Sequence, residues 1–256
     1  MTEATGDNAD GTRVFQISRE AAEHLYQFMR LFWEERSGQD MDDASIESLL
    51  EGYRAAMGKP HLAPIRDTIV GIRNQVRNAG LEFSILELGA ANGSIMHVLK
   101  DTVGLEGTRY FGMEPWQPFV EDFSSHFPDQ TMIRVNIDDA LELLSGDLRD
   151  SSFNICLACL VFCMIDPTRV RKFINLAAKI CDCFIIYDIN LNVLGDPDDE
   201  KVQVFPFNPE MIQFYFANPF DQMLKENGFK IAGSWDMPAI RNTMGWKTYL
   251  AVKANL

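Results

Sequence analysis

The feature that most constrains the fold is a short apolar run, Phe83-Ser-Ile-Leu-Glu-Leu88, which is followed at once by a loop of small residues. A continuous apolar run of this length, bounded by turn residues, is typical of a strand buried on both faces of a parallel sheet. A helix is predicted from about Ser94, so the order is strand, tight turn and helix. This order is typical of the first unit of an α/β domain.

Strands and helices alternate along the rest of the chain, which predicts a doubly wound, Rossmann-like sheet. Further strands are predicted at about 109–113, 132–135, 153–158, 183–188, 229–235 and 245–253. Helices are predicted near 94–103, 117–126, 138–144, 167–180 and 209–227, and a long polar excursion at 190–208. The last two strands have a short connection, so they should pair antiparallel and close one edge. The expected fold is a mostly parallel seven-stranded sheet with helices on both faces.

The N-terminal part of the chain has a different pattern. Residues 1–12 are polar and rich in Gly, Asp, Asn and Thr, which predicts a disordered tail. Residues 13–80 carry apolar side chains at three-and-four spacing, which predicts helices that begin near residues 18, 43 and 65. Because no β-rich run interrupts them, we expect a helical cap at 13–80 over an α/β domain at 81–256.

The formal net charge of −14 excludes some partners. An acidic surface repels a phosphate backbone, so nucleic acid is not expected as a substrate. No stretch approaches the ~18–20 apolar residues of a membrane helix, and the N-terminus lacks the pattern of a signal peptide, so we expect a cytoplasmic protein without a membrane partner. The five cysteines lie in one apolar region, which favours reduced, buried thiols over disulfides or a metal cluster.

An acid at the end of the first strand precedes the loop of small residues. Glycine tolerates tight turns, and small side chains let the backbone approach a ligand beside the N–H groups of a helix start. The segment resembles the first motif of the class I S-adenosylmethionine-dependent methyltransferases, although an alanine stands where that family often has a third glycine. The resemblance implies that residues 81–256 are a catalytic domain that binds S-adenosylmethionine through Glu87, Gly89, Ala90, Ala91, Asn92 and Gly93.

Two later strand ends resemble the same family. Glu114, followed by Pro115 and Trp116, ends the second strand, where the family's acid accepts the ribose hydroxyls of the cofactor, a geometry that NAD-binding folds share. Asp138 and Asp139 follow the third strand, where a carboxylate of the family meets the adenine amino group. The alternatives are that Glu114 is a solvated rim residue and that Asp138 caps the next helix.

The segment 153–160 resembles the fourth strand of the family, whose end faces the transferable methyl group. The resemblance implies that the backbone at Ala158 and Cys159 lines the methionine part of the cofactor. Asn154 replaces an aspartate that the family usually has there. Residues 159–164 also lack the Asn-Pro-Pro-aromatic signature of methyltransferases that act on nucleic acid bases, which again disfavours nucleic acid.

No metal is expected, and the sequence does not identify a catalytic base. Direct displacement from a sulfonium can proceed by positioning and desolvation, and none of the four histidines has a recognisable catalytic context. A subset of the family holds magnesium with acids after the fourth and fifth strands, and this chain offers Asp166, Asp188 and Asn190 there. The adjacent Asp-Asn pair of that subset is split here by Ile189, so the magnesium site remains the alternative.

The expected reaction is methylation of an oxygen, nitrogen or carbon atom of a small molecule or secondary metabolite, with a protein or peptide side chain as the second choice. The cap and the excursion 190–208 should form the acceptor pocket and exclude water. The cap supplies the aromatic residues Phe28, Phe32, Trp33 and Tyr53. The rivals are an NAD(P)-dependent oxidoreductase, whose two-then-three glycine spacing the loop does not supply, and an inactive binding subunit.

Overall fold

The computed structural model describes residues 3–7, 13–31, 41–189, 201–208, 213–237 and 246–254. The strands in chain order are β1 (Glu3–Asp7), β2 (Arg13–Ser18), β3 (Phe83–Leu88), β4 (Thr108–Glu114), β5 (Thr131–Arg134), β6 (Phe153–Cys159), β7 (Cys181–Ile189), β8 (Lys201–Asn208), β9 (Gln213–Phe216), β10 (Phe229–Met237) and β11 (Trp246–Lys253). The α-helices are α1 (Arg19–Leu31), α2 (Asp43–Arg54), α3 (Ala63–Asn78), α4 (Ser94–Thr102), α5 (Gln117–His126), α6 (Ile137–Ser145), α7 (Pro167–Ile180) and α8 (Phe220–Glu226).

Seven strands form the central sheet, in the order β10-β11-β7-β6-β3-β4-β5. Strands β3 to β7 are parallel to one another, whereas β11 lies antiparallel between β7 and β10. The prediction of a mostly parallel seven-stranded sheet is therefore confirmed. Chain order reverses on either side of β3, so the carboxyl ends of β3, β4 and β6 meet at the crevice where α/β sheets bind ligands.

The two faces of the sheet carry separate apolar clusters. Phe83 and Ile85 of β3 pack on the face covered by α3, α4 and α5. Leu86 and Leu88 of the same strand pack on the opposite face, with α1, α6, α7 and α8. Because both faces are covered, β3 is apolar throughout apart from Glu87 and one serine, which is the pattern from which it was predicted.

Helix ends follow their capping residues, so most predicted bounds are close to the observed ones. The helix predicted at 167–180 has those bounds, because Asp166 accepts the N–H groups of Thr168 and Arg169 and Pro167 fits the first turn. At α2 the cap is Asp42, whose side chain accepts the N–H of Ser45. Two 3-10 turns, Ala56–Gly58 and Pro60–Leu62, connect α2 to α3.

The N-terminal prediction is corrected at two places. Glu3–Asp7 is a strand where a disordered tail was expected at 1–12, and Arg13–Ser18 is a strand where only helices were expected. These strands form an antiparallel sheet in the order β1-β2-β8-β9. Strand β2 pairs with β1 on one side and with β8 on the other, where Phe15 lies opposite Val204. Its extended conformation therefore depends on pairing with a segment that is distant in the sequence. Residues 1–2 and 8–12 lie outside the described residues.

The helix predicted at 209–227 is also wrong at residues 213–219, while residues 209–212 lie outside the described residues. Strand β9 occupies 213–216, and α8 begins only at Phe220, after Pro219. The aromatic pair Phe214 and Tyr215 favours a strand, and pairing with β8 satisfies its backbone. Strand β8 lies within the predicted polar excursion, of which residues 190–200 are outside the described part. Across the described ranges, no helix combines the length and apolarity needed to cross a membrane.

Candidate functional site

Two of the predicted acids meet at the carboxyl ends of β3 and β4. Glu87 lies opposite Gly112 in the register of the two strands, and Glu114 follows two residues later on the same edge. Both side chains are buried, with 4% of Glu87 and 6% of Glu114 exposed. Burial raises the pKa of Glu87 to about 8, and the nearby negative charge of Glu114 adds to this effect. The two carboxyl groups therefore lie at neighbouring strand ends, as a shared cofactor site would require.

Glu114 organises the loop after β3 through its carboxylate. One oxygen accepts the backbone N–H of Ala91 at 2.9 Å, and the other accepts the N–H of Trp116 at 3.1 Å. Burial raises the pKa of Glu114 to about 7, and these two hydrogen bonds oppose the rise. Each carboxylate oxygen keeps a second lone pair, so the group can still accept hydroxyl donors from a ligand. Glu114 is therefore a buried acid with acceptor capacity to spare, and the alternative of a solvated rim residue is wrong.

Glu87 is held by Tyr110, a residue that the sequence analysis did not identify as functional. The Tyr110 hydroxyl donates to Oε2 of Glu87 at 2.5 Å, and both groups are buried. The tyrosine ring lies over Gly112, since a Cβ at that position would come within 2.8 Å of the ring. The signal was the glycine inside an otherwise bulky strand, which marks a close approach of another group. Tyr110 thus fixes one oxygen of Glu87 and leaves the other available.

The loop between β3 and α4 adopts a backbone that small residues favour. Gly89 and Gly93 have φ of 65° and 75°, and a Cβ at either would clash with Val161 at 2.6 Å or Phe123 at 2.5 Å. Ala91, which replaces the family's third glycine, also has a positive φ of 46°. An alanine is strained in the left-handed region, so this conformation is held by its surroundings, including the bond from its N–H to Glu114.

The end of β6 shows the same kind of backbone. Across the described residues, Leu160 (φ 57°) and Ala91 are the two non-glycine residues with positive φ. Ala158 is buried beside Leu88 of β3, and Leu160 donates its N–H to the carbonyl oxygen of Tyr187 at 2.7 Å. The two strained residues therefore follow adjacent parallel strands on one edge of the sheet, which is where strained residues of functional sites cluster. Burial raises the pKa of the Cys159 thiol, which keeps it protonated.

Helix α2 closes over the loop. Asn92 is fully buried and donates to the carbonyl oxygen of Leu50 and to the carboxylate of Asp122, both at 2.8 Å. Arg54 at the end of α2 forms an ion pair with the same carboxylate, including a 3.0 Å bond from Nε to Oδ2. Asn92 therefore connects the loop after β3 to α2 and α5 by hydrogen bonds. Ala90 of the same loop is also buried.

The residues that follow Glu114 lie in an apolar cluster. Trp116 is buried against Phe119 with ring centroids 4.5 Å apart, and Leu50 of α2 completes the contact. Pro115 is partly exposed beside it, and its carbonyl oxygen accepts a hydrogen bond from Arg134 at 3.1 Å. The structure therefore places Trp116 as a packing residue between α2 and α5.

The two aspartates after β5 are brought to the site edge but have different surroundings. The N–H of Val135 donates to the carbonyl oxygen of Glu114 at 3.1 Å, so the segment begins next to Glu114. Asp138 forms an ion pair with Arg169 at 2.8 Å, and the cap of α6 is the side chain of Asn136. The alternative in which Asp138 caps the helix is therefore wrong. Asp139 is exposed, whereas Asp138 is half-buried beside Arg169.

The acids considered for magnesium are separately engaged. Asp166 caps α7 and pairs with Arg169 at 2.9 Å, whereas Asp188 accepts the N–H of Cys163 at 3.1 Å. Asn190 lies outside the described residues. A second group, His97, Asp122 and His126, places its ligand atoms within 4.8 Å of one another. The Asp122 carboxylate of that group already neutralises Arg54, so an added cation there would face a guanidinium.

An open cleft of about 1080 Å³ lies between the N-terminal segment and the ends of β6 and β7. Its walls come from α2, the two 3-10 turns, Leu160 and Tyr187. Tyr53 lines it, as expected for the cap, whereas Phe28 is exposed on α1. Phe32 and Trp33 lie outside the described residues. Leu49 of the cleft wall packs in the same cluster as Ala91, so the cleft adjoins the loop after β3.

Solved structures of similar fold include several methyltransferases. An O-methyltransferase family protein from Burkholderia thailandensis has a TM-score of 0.57 and 11% identity, covering 91% of this chain and 68% of its own. The 1,6-didemethyltoxoflavin-N1-methyltransferase of the same organism, with bound 1,6-didemethyltoxoflavin and S-adenosylhomocysteine, has a TM-score of 0.55 and 13% identity, covering 98% and 99%. Magnesium protoporphyrin IX methyltransferase from Synechocystis, with bound S-adenosylhomocysteine, has a TM-score of 0.52 and 12% identity, covering 90% and 100%. No protein-family model matches the chain, and no curated protein matches it in sequence.

Proposed function

Because the chain has the class I methyltransferase fold, we propose that it transfers the methyl group of S-adenosylmethionine to a small-molecule acceptor. The observation that carries the proposal is the hydrogen bond from the strained loop residue Ala91 to the buried carboxylate of Glu114. It joins the tight turn after β3 to the acid at the end of β4, and these are the two parts that an adenosyl ligand requires at neighbouring strand tips.

The residues of this chain fit the cofactor at three points. Glu114 has free lone pairs that can accept ribose hydroxyls, and the second oxygen of Glu87 can accept the amino group of the methionine part. The third point is the tight left-handed backbone at Gly89 and Gly93, which glycine permits and which a Cβ would disturb by clashing with Val161 or Phe123. The bound cofactor supplies an electrophilic methyl on a sulfonium, so the protein has to hold the acceptor in line with it and exclude water.

The remaining predicted contacts belong to the same proposal. Ala158 and Cys159 at the end of β6 would line the methionine part, and the exposed carboxylate of Asp139 would meet the adenine amino group. Asp138 is less suited to this role, because Arg169 already holds it. Pro115, which follows Glu114, would contact the adenosine part of the cofactor.

The acceptor is proposed to be small because of the cleft beside the loop. A volume of about 1080 Å³ is at the upper end of ligand pockets, which span roughly 300–1,000 Å³. A structural neighbour of similar length binds 1,6-didemethyltoxoflavin, a small molecule, together with S-adenosylhomocysteine. A protein or peptide side chain entering this open cleft is the second candidate.

Titration with S-adenosylhomocysteine, followed by calorimetry, tests the cofactor assignment. We expect saturable binding by S-adenosylhomocysteine and none by NAD, because the loop lacks the glycine spacing of dinucleotide-binding folds. Binding of NAD alone would favour an oxidoreductase, and binding of neither would favour an inactive subunit. Incubation with methyl-labelled S-adenosylmethionine and a metabolite panel then tests the acceptor class, and label found only on a polypeptide would refute the small-molecule assignment.

A further inference from the structure

Among the residues that the structure describes, Lys59 is the positively charged side chain in the lining of the cleft beside the loop, and no ion pair holds it. Its charged side chains, among the described residues, are Asp42 and Lys59. The Asp42 carboxylate is used as the cap of α2, where it accepts the N–H of Ser45 at 2.8 Å. Lys59 is exposed and makes no ion pair within the described part of the chain. The cleft therefore presents an uncompensated ammonium group in a protein whose net charge is −14.

The position of Lys59 is fixed by its backbone. It stands between the two 3-10 turns, where its N–H donates to Ala56 and its carbonyl oxygen accepts the N–H of Leu62, at 3.1 and 3.0 Å. His61 lines the same cleft two residues later and adds a ring N–H donor. These hydrogen bonds fix the backbone of Lys59 at one side of the cleft, and its side chain is exposed.

Most of the remaining lining is apolar or aromatic, with Ser45 and Ser48 as further polar side chains. Leu49, Leu62 and Leu160 form apolar walls, and Tyr53 and Tyr187 offer ring surfaces. Leu160 follows the strand end that adjoins the predicted methyl position, so this part of the lining is apolar. An acceptor that fits this lining has an apolar ring body and a polar group at one end.

We infer that the acceptor of this protein is an apolar, ring-containing small molecule with an anionic group, and that Lys59 binds that group. The inference rests on the proposed function, because it concerns the acceptor of the same site. The ring body would contact Leu160 and the aromatic side chains, and the anion would pair with the ammonium. Lys59 is thus a specificity-determining residue that touches the acceptor away from the reacting atom.

A matched pair of probes tests the charge preference. Binding of 2-naphthoate and 2-naphthamide, which share the ring body and differ in charge, is measured by calorimetry on the S-adenosylhomocysteine-saturated chain at low salt. We expect naphthoate to bind about two- to fivefold more tightly, the range of an exposed ion pair, and the difference to shrink in high salt. The variant Lys59→Met should bind both probes equally. The control Lys172→Met, which removes an exposed lysine on α7, should keep the wild-type ratio.

The outcomes separate this inference from the proposed function. Equal binding of the two probes by the wild-type chain, an unchanged ratio in Lys59→Met, or binding of neither probe would each overturn the inference. None of these results concerns the cofactor, whose binding is measured first. If S-adenosylhomocysteine fails to bind, the proposed function fails, and the same probe titration without it still reports whether Lys59 selects an anion.

Discussion

Replacement of Glu114 by glutamine tests the role of its carboxylate at the loop. In the native protein the two oxygens accept the N–H groups of Ala91 and Trp116. A glutamine of the same shape has one acceptor oxygen, so either orientation turns an amide NH₂ toward one of these donors. An unsatisfied buried donor costs about 1–3 kcal/mol, and we expect Glu114→Gln to lose about that much free energy of unfolding.

The same substitution should weaken cofactor binding more than it weakens folding. Ribose hydroxyls donating to an ionised carboxylate form charge-assisted bonds of about 1.5–3 kcal/mol each. Glutamine can replace at most one of two such acceptors. The expected loss of one bond raises the Kd for S-adenosylhomocysteine by roughly 10- to 150-fold, since each 1.4 kcal/mol is about tenfold.

Calorimetric titration with S-adenosylhomocysteine, with urea unfolding of the same samples, measures both effects. The matched control is Glu121→Gln on α5, where the side chain is exposed and accepts only the amide of Gln117 at 2.8 Å. We expect this control to match the wild-type chain in both assays. A folded Glu114→Gln protein that binds S-adenosylhomocysteine as tightly as the wild type would refute the ribose assignment.

Three further predictions concern the same strand ends. Gly93→Ala should lower the free energy of unfolding, measured in urea, by about 2–4 kcal/mol, because it adds left-handed strain and a clash with Phe123. The control Gly71→Ala, on α3 with open space around it, should raise the free energy of unfolding by about 0.5–1 kcal/mol. Equal effects of the two substitutions would contradict the clash. Tyr110→Phe should raise the pKa of Glu87 further and lower the unfolding free energy by about 1–3 kcal/mol, and an unchanged melting profile would argue against the bond. Burial raises the pKa of Glu87 from 4.5 to about 8 and the pKa of Glu114 from 4.5 to about 7. Between pH 5 and pH 8 the folded protein without cofactor therefore binds more protons than its unfolded chain, so its Tm should fall as the pH rises. Glu87→Gln should reduce this fall.

The central sheet could be predicted because its signals are local. Buried parallel strands such as Phe83–Leu88 are continuous apolar runs, and α7 is bounded by a capping aspartate and by apolar spacing. The second sheet could not be predicted in this way. Its strands pair across the chain, with Arg13–Ser18 next to Lys201–Asn208, and pairing between distant segments leaves no periodicity in either of them.

The acids of the candidate site could be predicted because their signal is local in the sequence. An acid at a strand end beside glycines pointed to Glu87 and Glu114, and the structure brings them together. The partners of these acids were not predictable, because the contact of Tyr110 with Glu87 crosses from one strand to the next. The ion pair of Asp138 with Arg169 likewise depends on the packing of α6 against α7, which sequence spacing does not encode.

Strand β11 has a consequence for how the protein is made. It follows β10 along the chain, yet it lies inside the sheet, between β7 and β10. Within the described residues, strand β10 joins the sheet through β11. During synthesis, β10 leaves the ribosome before β11 does, so the exposed edge of β7 must wait for β11. Chaperone dependence and aggregation of nascent chains should therefore concentrate in the interval before residues 246–253 emerge, when two unpaired edges await the same strand.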